Sequence, residues 1–198
     1  MRIIAATGNA HKLREIRQIT DQFGFELVSQ KDAGFGGVDP EENGATFEEN
    51  SLIKAEAIGK LSGEICIADD SGICVDALGG APGVHSARYA GEHGNDALNR
   101  QKMLKELEGV PFEERTARFV CVITMLYPDG RKHVCRGEVE GHIGFEERGE
   151  NGFGYDSIFH PLGSERTFAE YEPEEKNAIS HRANALRKLQ AELAGENA

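Results

Sequence analysis

Hydrophobic positions along this chain fall in short blocks, and the spacing inside each block predicts an element. "RIIAA" (residues 2–6) is brief and continuous, which predicts a short buried strand. "TGNAHK" turns the chain. In "KLREIRQITDQFG" one side carries Leu13, Ile16 and Ile19 or Thr20, predicting a helix that Gly24 stops. "FELVSQ" reads as a second short strand, and residues 32–44 as a glycine- and acid-rich loop. Thr46-x-x-Glu49 is a capping box that opens a helix running to about Leu61. "EICIA" (residues 64–68) is the next strand, expected to end where "DDSG" begins. Residues 95–107 read as helix. "RFVCVITMLYPDGRKHVCRGEVEGHIG" predicts two strands around the turn Pro128-Asp129-Gly130. After the Gly-rich "GENGFGYDSIF", Ile179, Ala183, Leu186 and Leu193 stand at helical spacing, predicting a last helix from Ser180 to about Leu193.

Strands alternate with helices early and a hairpin comes late, so the expected fold is α/β with a mixed sheet. A length of 198 residues suits one domain or two closely packed lobes, and we expect a single domain over residues 1–198. A formal charge of −12 argues against non-specific binding to a nucleic-acid backbone, which needs a basic surface. It leaves room for a small polyanion held by local positive groups or a cation. Cys66, Cys74, Cys121 and Cys135 form no C-x-x-C pair, and most sit in strand-like runs, where core thiols are expected rather than zinc or disulfides. "MRIIAATGN" has no signal-peptide core, and no run approaches the ~18 apolar residues of a membrane span. A cytoplasmic protein is the expectation.

Several stretches carry candidate chemistry. A strand ending in Thr-Gly-Asn and feeding a helix offers backbone N–H groups and a positive helix end, which suits phosphate, and Lys12 can add a charge. The same residues also suit an ordinary turn with Asn9 as N-cap. The stretch is neither a Walker loop nor a dinucleotide fingerprint. Stepping 100° per residue from Phe47 puts Asn50, Ser51, Lys54, Ile58 and Leu61 on one side of the helix, with Glu48, Glu49, Glu56 and Lys60 towards the other. Inward polar residues need partners. Lys54 is either a snorkelling lysine at the core edge or a phosphate-facing lysine at a cleft.

Asp69 and Asp70 repel each other and need a reason to be adjacent. With Glu41 and Glu42 in the preceding acidic loop, they offer the oxygen ligands of a magnesium site, whose remaining positions go to water and phosphate. A solvated acidic turn is the alternative. His181 and Arg182 follow Ser180 at a helix N-terminus, where cations are disfavoured by ~0.3–1 kcal/mol each. A ligand with acceptor atoms would offset that, and so would an exposed position in water. Phe153 and Tyr155 could stack on a planar ring or plug the core. Together these form the inventory for a nucleoside triphosphate with magnesium.

At this point the motifs match a family. "ATGNAHK", "TFEENSLIKA", "ADDSGICVDALGGAPGVHSARYAG", "GFGYDSIF" and "EEKNAISHRANAL", in this order and over almost the whole chain, closely resemble the non-canonical purine nucleoside triphosphate pyrophosphatases, the Ham1-like family. The resemblance implies an elongated mixed sheet flanked by helices, two lobes and a central substrate cleft. It implies hydrolysis of ITP, dITP and XTP to the monophosphate and pyrophosphate, magnesium (Mg2+), and a homodimer. Carried over residue by residue, Thr7, Gly8, Asn9, Ala10, His11 and Lys12 bind the triphosphate; from its place on the inward stripe of its helix we expect Lys54 to face the phosphates as well. Glu41 and Asp70 hold magnesium, Asp70 is the proton acceptor, and Ser71 contacts substrate. Phe153, Gly154, Tyr155, Asp156, Lys176, His181 and Arg182 line the base site.

The implied chemistry is water attacking phosphorus as pyrophosphate leaves. Hypoxanthine and xanthine carry a 6-oxo acceptor where adenine carries an amino donor, so donors from His181 or Arg182 would favour them. Two rivals stand beside this reading: a related pyrophosphatase for pyrimidine nucleotides, and a nucleotide-binding regulatory module without catalysis. The full carboxylate set argues against the second.

Overall fold

The computed structural model describes residues 1–196. Six strands, β1 (Arg2–Ala5), β2 (Glu26–Ser29), β3 (Cys66–Val75), β4 (Thr116–Leu126), β5 (Lys132–Ile143) and β6 (Phe159–Pro161), are hydrogen-bonded in the order β2-β1-β3-β4-β5-β6. β1 pairs parallel with both β2 and β3, while β5 and β6 are antiparallel. The sheet is therefore mixed, and the fold is α/β. Among the described residues, five α-helices accompany it: α1 (Ala10–Thr20), α2 (Phe47–Ser62), α3 (Asp96–Glu106), α4 (Pro173–Ile179) and α5 (His181–Glu196). The chain divides into two compact units. Unit 1 comprises Met1–Asp70, Cys121–Gly137 and the segment from Arg182 onward; unit 2 comprises Ser71–Val120 and Glu138–His181.

Unit 1 is built on strands buried on both faces, which explains their unbroken apolar runs. Alternate residues of a strand face opposite sides. Ile3, Ala5 and Ile67 pack with Ile16 and Ile19 of α1 and with Ala183, Leu186 and Leu189 of α5. Ile4, Ala6, Cys66 and Ala68 pack with Ala55 and Ile58 of α2. The helices start and stop where the chain supplies caps. Asn9 Oδ1 accepts from the His11 and Lys12 amides at 2.9 and 3.0 Å. Thr46 and Glu49 complete the capping box of α2, which ends at Gly63 in the left-handed region (φ 64°). The Pro128-Asp129-Gly130 turn closes as expected, with Gly130 N–H donating to Tyr127 O at 3.0 Å.

Unit 2 has its own core. Ile73, Val75, Met103, Leu107, Phe119, Ile143, Tyr155, Ile158, Phe159 and Phe168 cluster there. Phe119 meets Phe159 edge-on with centroids 4.7 Å apart, the geometry that ring quadrupoles favour. Arg115 is buried in this unit, yet Nε, Nη1 and Nη2 each find a carbonyl, of Val110, Gly144 and Leu107. That satisfies the charge without an acid.

Several expectations change. β3 does not end at Ala68; it continues to Val75, so Asp69 and Asp70 lie inside a strand rather than at its end. Gly72 makes no left-handed turn, and the chain turns only at Gly79 and Gly80 (φ 63° and 90°). The buried Ile73 and Val75 keep the strand going. On α2, Leu61 is 60 % exposed and Ala55 takes its place in the core. The last helix is preceded by the separate α4, started by a Glu172–Glu175 capping box with Pro173 at its first position. Ile179, at the end of α4, is 40 % exposed rather than part of the apolar stripe of α5.

Candidate active site

The alternation of β3 places its two aspartates. Cys66 and Ala68 face α2 and Ile67 faces α1 and α5. Continuing the pattern sends Asp69 towards α1 and α5, and Asp70 towards α2. Asp69 is wholly buried. Its Oδ1 pairs with Lys12 Nζ at 2.6 Å, and its Oδ2 accepts from Arg182 Nε at 3.0 Å and Cys121 Sγ at 2.9 Å. Arg182, also fully buried, donates through Nη1 to Glu15 of α1. Burial alone would raise the Asp69 pKa; the Arg182 guanidinium, then the Lys12 ammonium, hold it well below the usual carboxylate range instead. The Cys121 thiol is pushed well up by burial and by that carboxylate. Such a thiol is inert.

Asp70 sits in a different chemical setting. Its Oδ1 accepts from Lys54 Nζ at 2.7 Å, and the same ammonium reaches Glu42 Oε2 at 3.1 Å. Asp70 Oδ2 is buried and accepts no hydrogen bond. Burial pushes the Asp70 carboxyl up to about 6; Lys54 and Lys12 oppose this and the Glu42 charge reinforces it. Glu42 itself is lowered: its burial acts upward, but the Lys54 charge and hydrogen bond outweigh it. Lys54 is raised, since Asp70 and Glu42 outweigh its own desolvation. The acidic loop is fixed to α2 by Gly44 N–H donating to Asn50 Oδ1 at 2.8 Å and Ala45 N–H to Glu49 Oε2 at 2.6 Å. A Cβ on Gly44 would stand 2.7 Å from Asn50 Oδ1, so this close approach needs glycine. Ser51 meets Thr124 Oγ1 at 2.5 Å. Asn50, Ser51 and Lys54, the inward polar residues of α2, thus each have a partner.

A second set lies in unit 2. Lys176 is buried with Nζ 2.7 Å from Asp156 Oδ2, which also accepts the Phe153 amide at 2.8 Å. The ammonium stands 5.0 Å from the Phe153 ring centroid, within cation–π range. α3 clamps the loop from one side: Gly154 N–H donates to Asp96 Oδ2 and Gly154 O accepts from Arg100 Nη1, both at 2.8 Å. A Cβ on Gly152 would collide with the Asp156 carboxylate. A hollow of about 170 Å³ lined by Arg100, Glu147, Asn151, Phe153, Gly154 and Asp156 opens here. It has room for part of a ligand rather than a whole nucleotide. The His181 ring stacks on Phe119, with centroids 4.8 Å apart and planes 12° from parallel.

The residues carried over from the motifs therefore divide between the units. Thr7, Gly8, Asn9, Ala10, His11, Lys12, Glu41, Lys54, Asp70 and Arg182 belong to unit 1; Ser71, Phe153, Gly154, Tyr155, Asp156, Lys176 and His181 belong to unit 2. Gly8 to His11 are exposed and Thr7 is half-buried. Ser71 is half-buried, next along β3 from Asp70. Arg182 lies in the interior of unit 1 with Asp69 and Glu15. Tyr155 plugs the unit 2 core, its hydroxyl donating to Ser86 O at 2.8 Å. Glu42 is the acidic-loop carboxylate set against Lys54 and Asp70, while Glu41 is exposed. Sequence reasoning missed Glu15, Cys121, Asp96, Arg100 and Phe119. Asp96 and Arg100 are one helical turn apart, a spacing legible in the sequence, but nothing local says that they meet Gly154.

The Ham1 family model matches residues 3–192. The dITP/XTP pyrophosphatase of Haemophilus influenzae is 51% identical over 194 residues, covering 97% of this chain and 98% of its own. Among solved structures, the Ham1 protein of Staphylococcus aureus superposes with a TM-score of 0.86 at 42% identity, covering 99% of this chain and 100% of its own. A HAM1 protein from Coxiella burnetii gives 0.87 at 42% identity, covering 98% and 99%. With a matching model over nearly its whole length, this chain belongs to the Ham1 family.

Proposed function

We propose that this chain hydrolyses the non-canonical purine nucleoside triphosphates ITP, dITP and XTP to the monophosphate and pyrophosphate. The observation that carries the reading is Asp70: a buried carboxylate whose Oδ1 meets Lys54 Nζ at 2.7 Å and whose Oδ2 accepts no hydrogen bond. One oxygen of such a carboxylate can serve a cation while the other takes a proton, the pairing that metal-assisted general-base catalysis uses. Asp70 accepts the proton of the attacking water. Lys12 and Lys54 supply positive charge to the phosphates, and Thr7 to His11 offer exposed backbone and side-chain donors at the start of α1. In unit 2, Phe153 with Lys176 behind it presents a polarised face to a planar ring, and His181 offers a ring nitrogen to the 6-oxo group. Asp156 holds Lys176 and the Phe153 amide in place.

The donor set also fits a hard cation. Among the described residues, carboxylates and other ligand side chains do not gather in a group of three. One or two carboxylates completed by water and phosphate is the pattern magnesium uses. Asp70 Oδ2 is one donor, and the Glu41–Glu42 pair supplies the other. Magnesium, when bound, stabilises the negative charge that develops as pyrophosphate leaves. A homodimer belongs to the same reading and rests on the family resemblance.

Pyrophosphate release from ITP and from dTTP, with and without Mg2+, tests the proposal. Release from ITP alone, abolished by chelation, supports it. Release from dTTP at the same rate points to a pyrimidine or unselective enzyme, and no release from either points to a binding module. Mg2+ titrations of Glu41→Gln and Glu42→Gln identify the second carboxylate by which variant needs more metal.

A further inference from the structure

We infer that Lys54 is a stand-in cation: its ammonium holds the Asp70 and Glu42 carboxylates until metal and triphosphate arrive together, and then passes to the phosphates. This rests on the nucleotide reading above. The ammonium is 2.7 Å from Asp70 Oδ1 and 3.1 Å from Glu42 Oε2, and the Lys54 side chain is only 13% exposed. Its stem leaves α2 from the buried stripe of Asn50, Ser51, Ala55 and Ile58, so only the flexible end of the side chain can move. Asp70 Oδ2, by contrast, is left without a donor. One oxygen of the carboxylate is occupied by a cation and the other awaits one.

Charge decides the order of events. Two carboxylates and one ammonium leave this trio with a single net negative charge. A lone divalent ion at Asp70 would sit beside the ammonium and be repelled by it. A metal–nucleotide complex brings its own negative phosphates, which give the ammonium a new partner as the metal takes its place. Lys12 pairs with Asp69 at 2.6 Å on the opposite face of β3, so the direct contacts to Asp70 and Glu42 belong to Lys54. Lys54 therefore makes the site select the metal–nucleotide complex over the free metal.

The test uses Mn2+ alone as the probe, read by its paramagnetic resonance signal on metal-free protein with no nucleotide present. Lys54→Met should bind Mn2+ at least ~10-fold more tightly than wild type, since a like charge beside the site is gone. Equal or weaker binding by the variant overturns the inference. Lys54→Gln carries the same comparison if the methionine variant does not fold. A second readout follows the wild-type ammonium itself, by 15N resonance of labelled lysine assigned with Lys54→Arg. Mg2+ alone should leave the Lys54 signal in place, and Mg2+ with a non-hydrolysable ITP analogue should shift it. A signal that moves with Mg2+ alone, or stays put when the analogue binds, contradicts the exchange. If the analogue does not bind at all, the nucleotide reading fails, and the Mn2+ comparison still judges Lys54 separately.

Discussion

The two faces of the sheet in unit 1 treat neighbouring aspartates in opposite ways. On the α1 and α5 face, Asp69 receives Lys12, Arg182 and Cys121, and every strong electrostatic demand is met. On the α2 face, Asp70 shares one lysine with Glu42 and keeps an oxygen without a donor. Burial is common to both, so it cannot explain the difference; the number and sign of the surrounding charges does. A buried charge that is fully satisfied becomes scaffold, and one left partly satisfied stays available for chemistry. The repulsion between adjacent carboxylates is relieved by pointing them to opposite sides of a strand.

The largest effect expected from breaking this contrast is on turnover. Asp70→Asn is nearly isosteric and removes charge and basicity together. Hydrolysis of ITP should fall by at least ~10²-fold, with a native circular dichroism spectrum and a melting temperature equal to or above wild type. A normal rate would remove Asp70 from the chemistry. Asp69→Asn should instead strike the fold, because it removes the carboxylate that faces the buried Arg182 and Lys12. Denaturant titration should show a loss of about 3–5 kcal/mol, the usual cost of breaking one partner from a buried charge pair. A variant as stable as wild type would mean that the remaining partners of Arg182 suffice.

The pH dependence sharpens the same contrast, because the two signs are opposite. The folded pKa of Asp70 is raised to about 6 from 3.8. Its contribution is fully present below 3.8 and lost as pH rises through about 6. Asp69 is depressed below 3.8, so its contribution is present above 3.8 and lost only as pH falls through its lower folded value. In metal-free protein, wild type should therefore lose stability relative to Asp70→Asn as pH rises through about 6. Melting curves of the two proteins across that range check this, and parallel curves would deny the shift. The smallest change belongs to Cys121→Ser. It keeps a donor to Asp69 and should alter stability by less than ~1 kcal/mol. A larger loss would show that the thiol does more than donate.

What the sequence made legible follows from locality. β1, α1, the capping box of α2 and the Pro128 turn are set by residues next to one another, and all were readable. The three-residue β6 is too short for a period to register. The true length of β3 was hidden because "DDSG" carries turn-forming residues, and only burial of Ile73 and Val75 overrides them. Leu61 fell on the apolar side of a helical wheel, yet it lies in the last turn of α2, where it faces solvent. At the site, the motif residues were readable but their partners were not. The family resemblance assigns Arg182 to the base site, and its partners within unit 1, Asp69 and Glu15, lie far off in sequence. Glu41 and Glu42 are adjacent and chemically alike, and only the loop's attachment to α2 distinguishes them.

The most direct test is a carboxyl-carbon NMR titration of metal-free protein, with Asp69 and Asp70 assigned by their asparagine variants. Asp70 should titrate near 6, while Asp69 should stay ionised throughout a scan from about pH 8 down to about pH 4. If both titrate together in the ordinary aspartate range, or if Asp69 is the one that titrates high, the division of labour between the two faces is wrong.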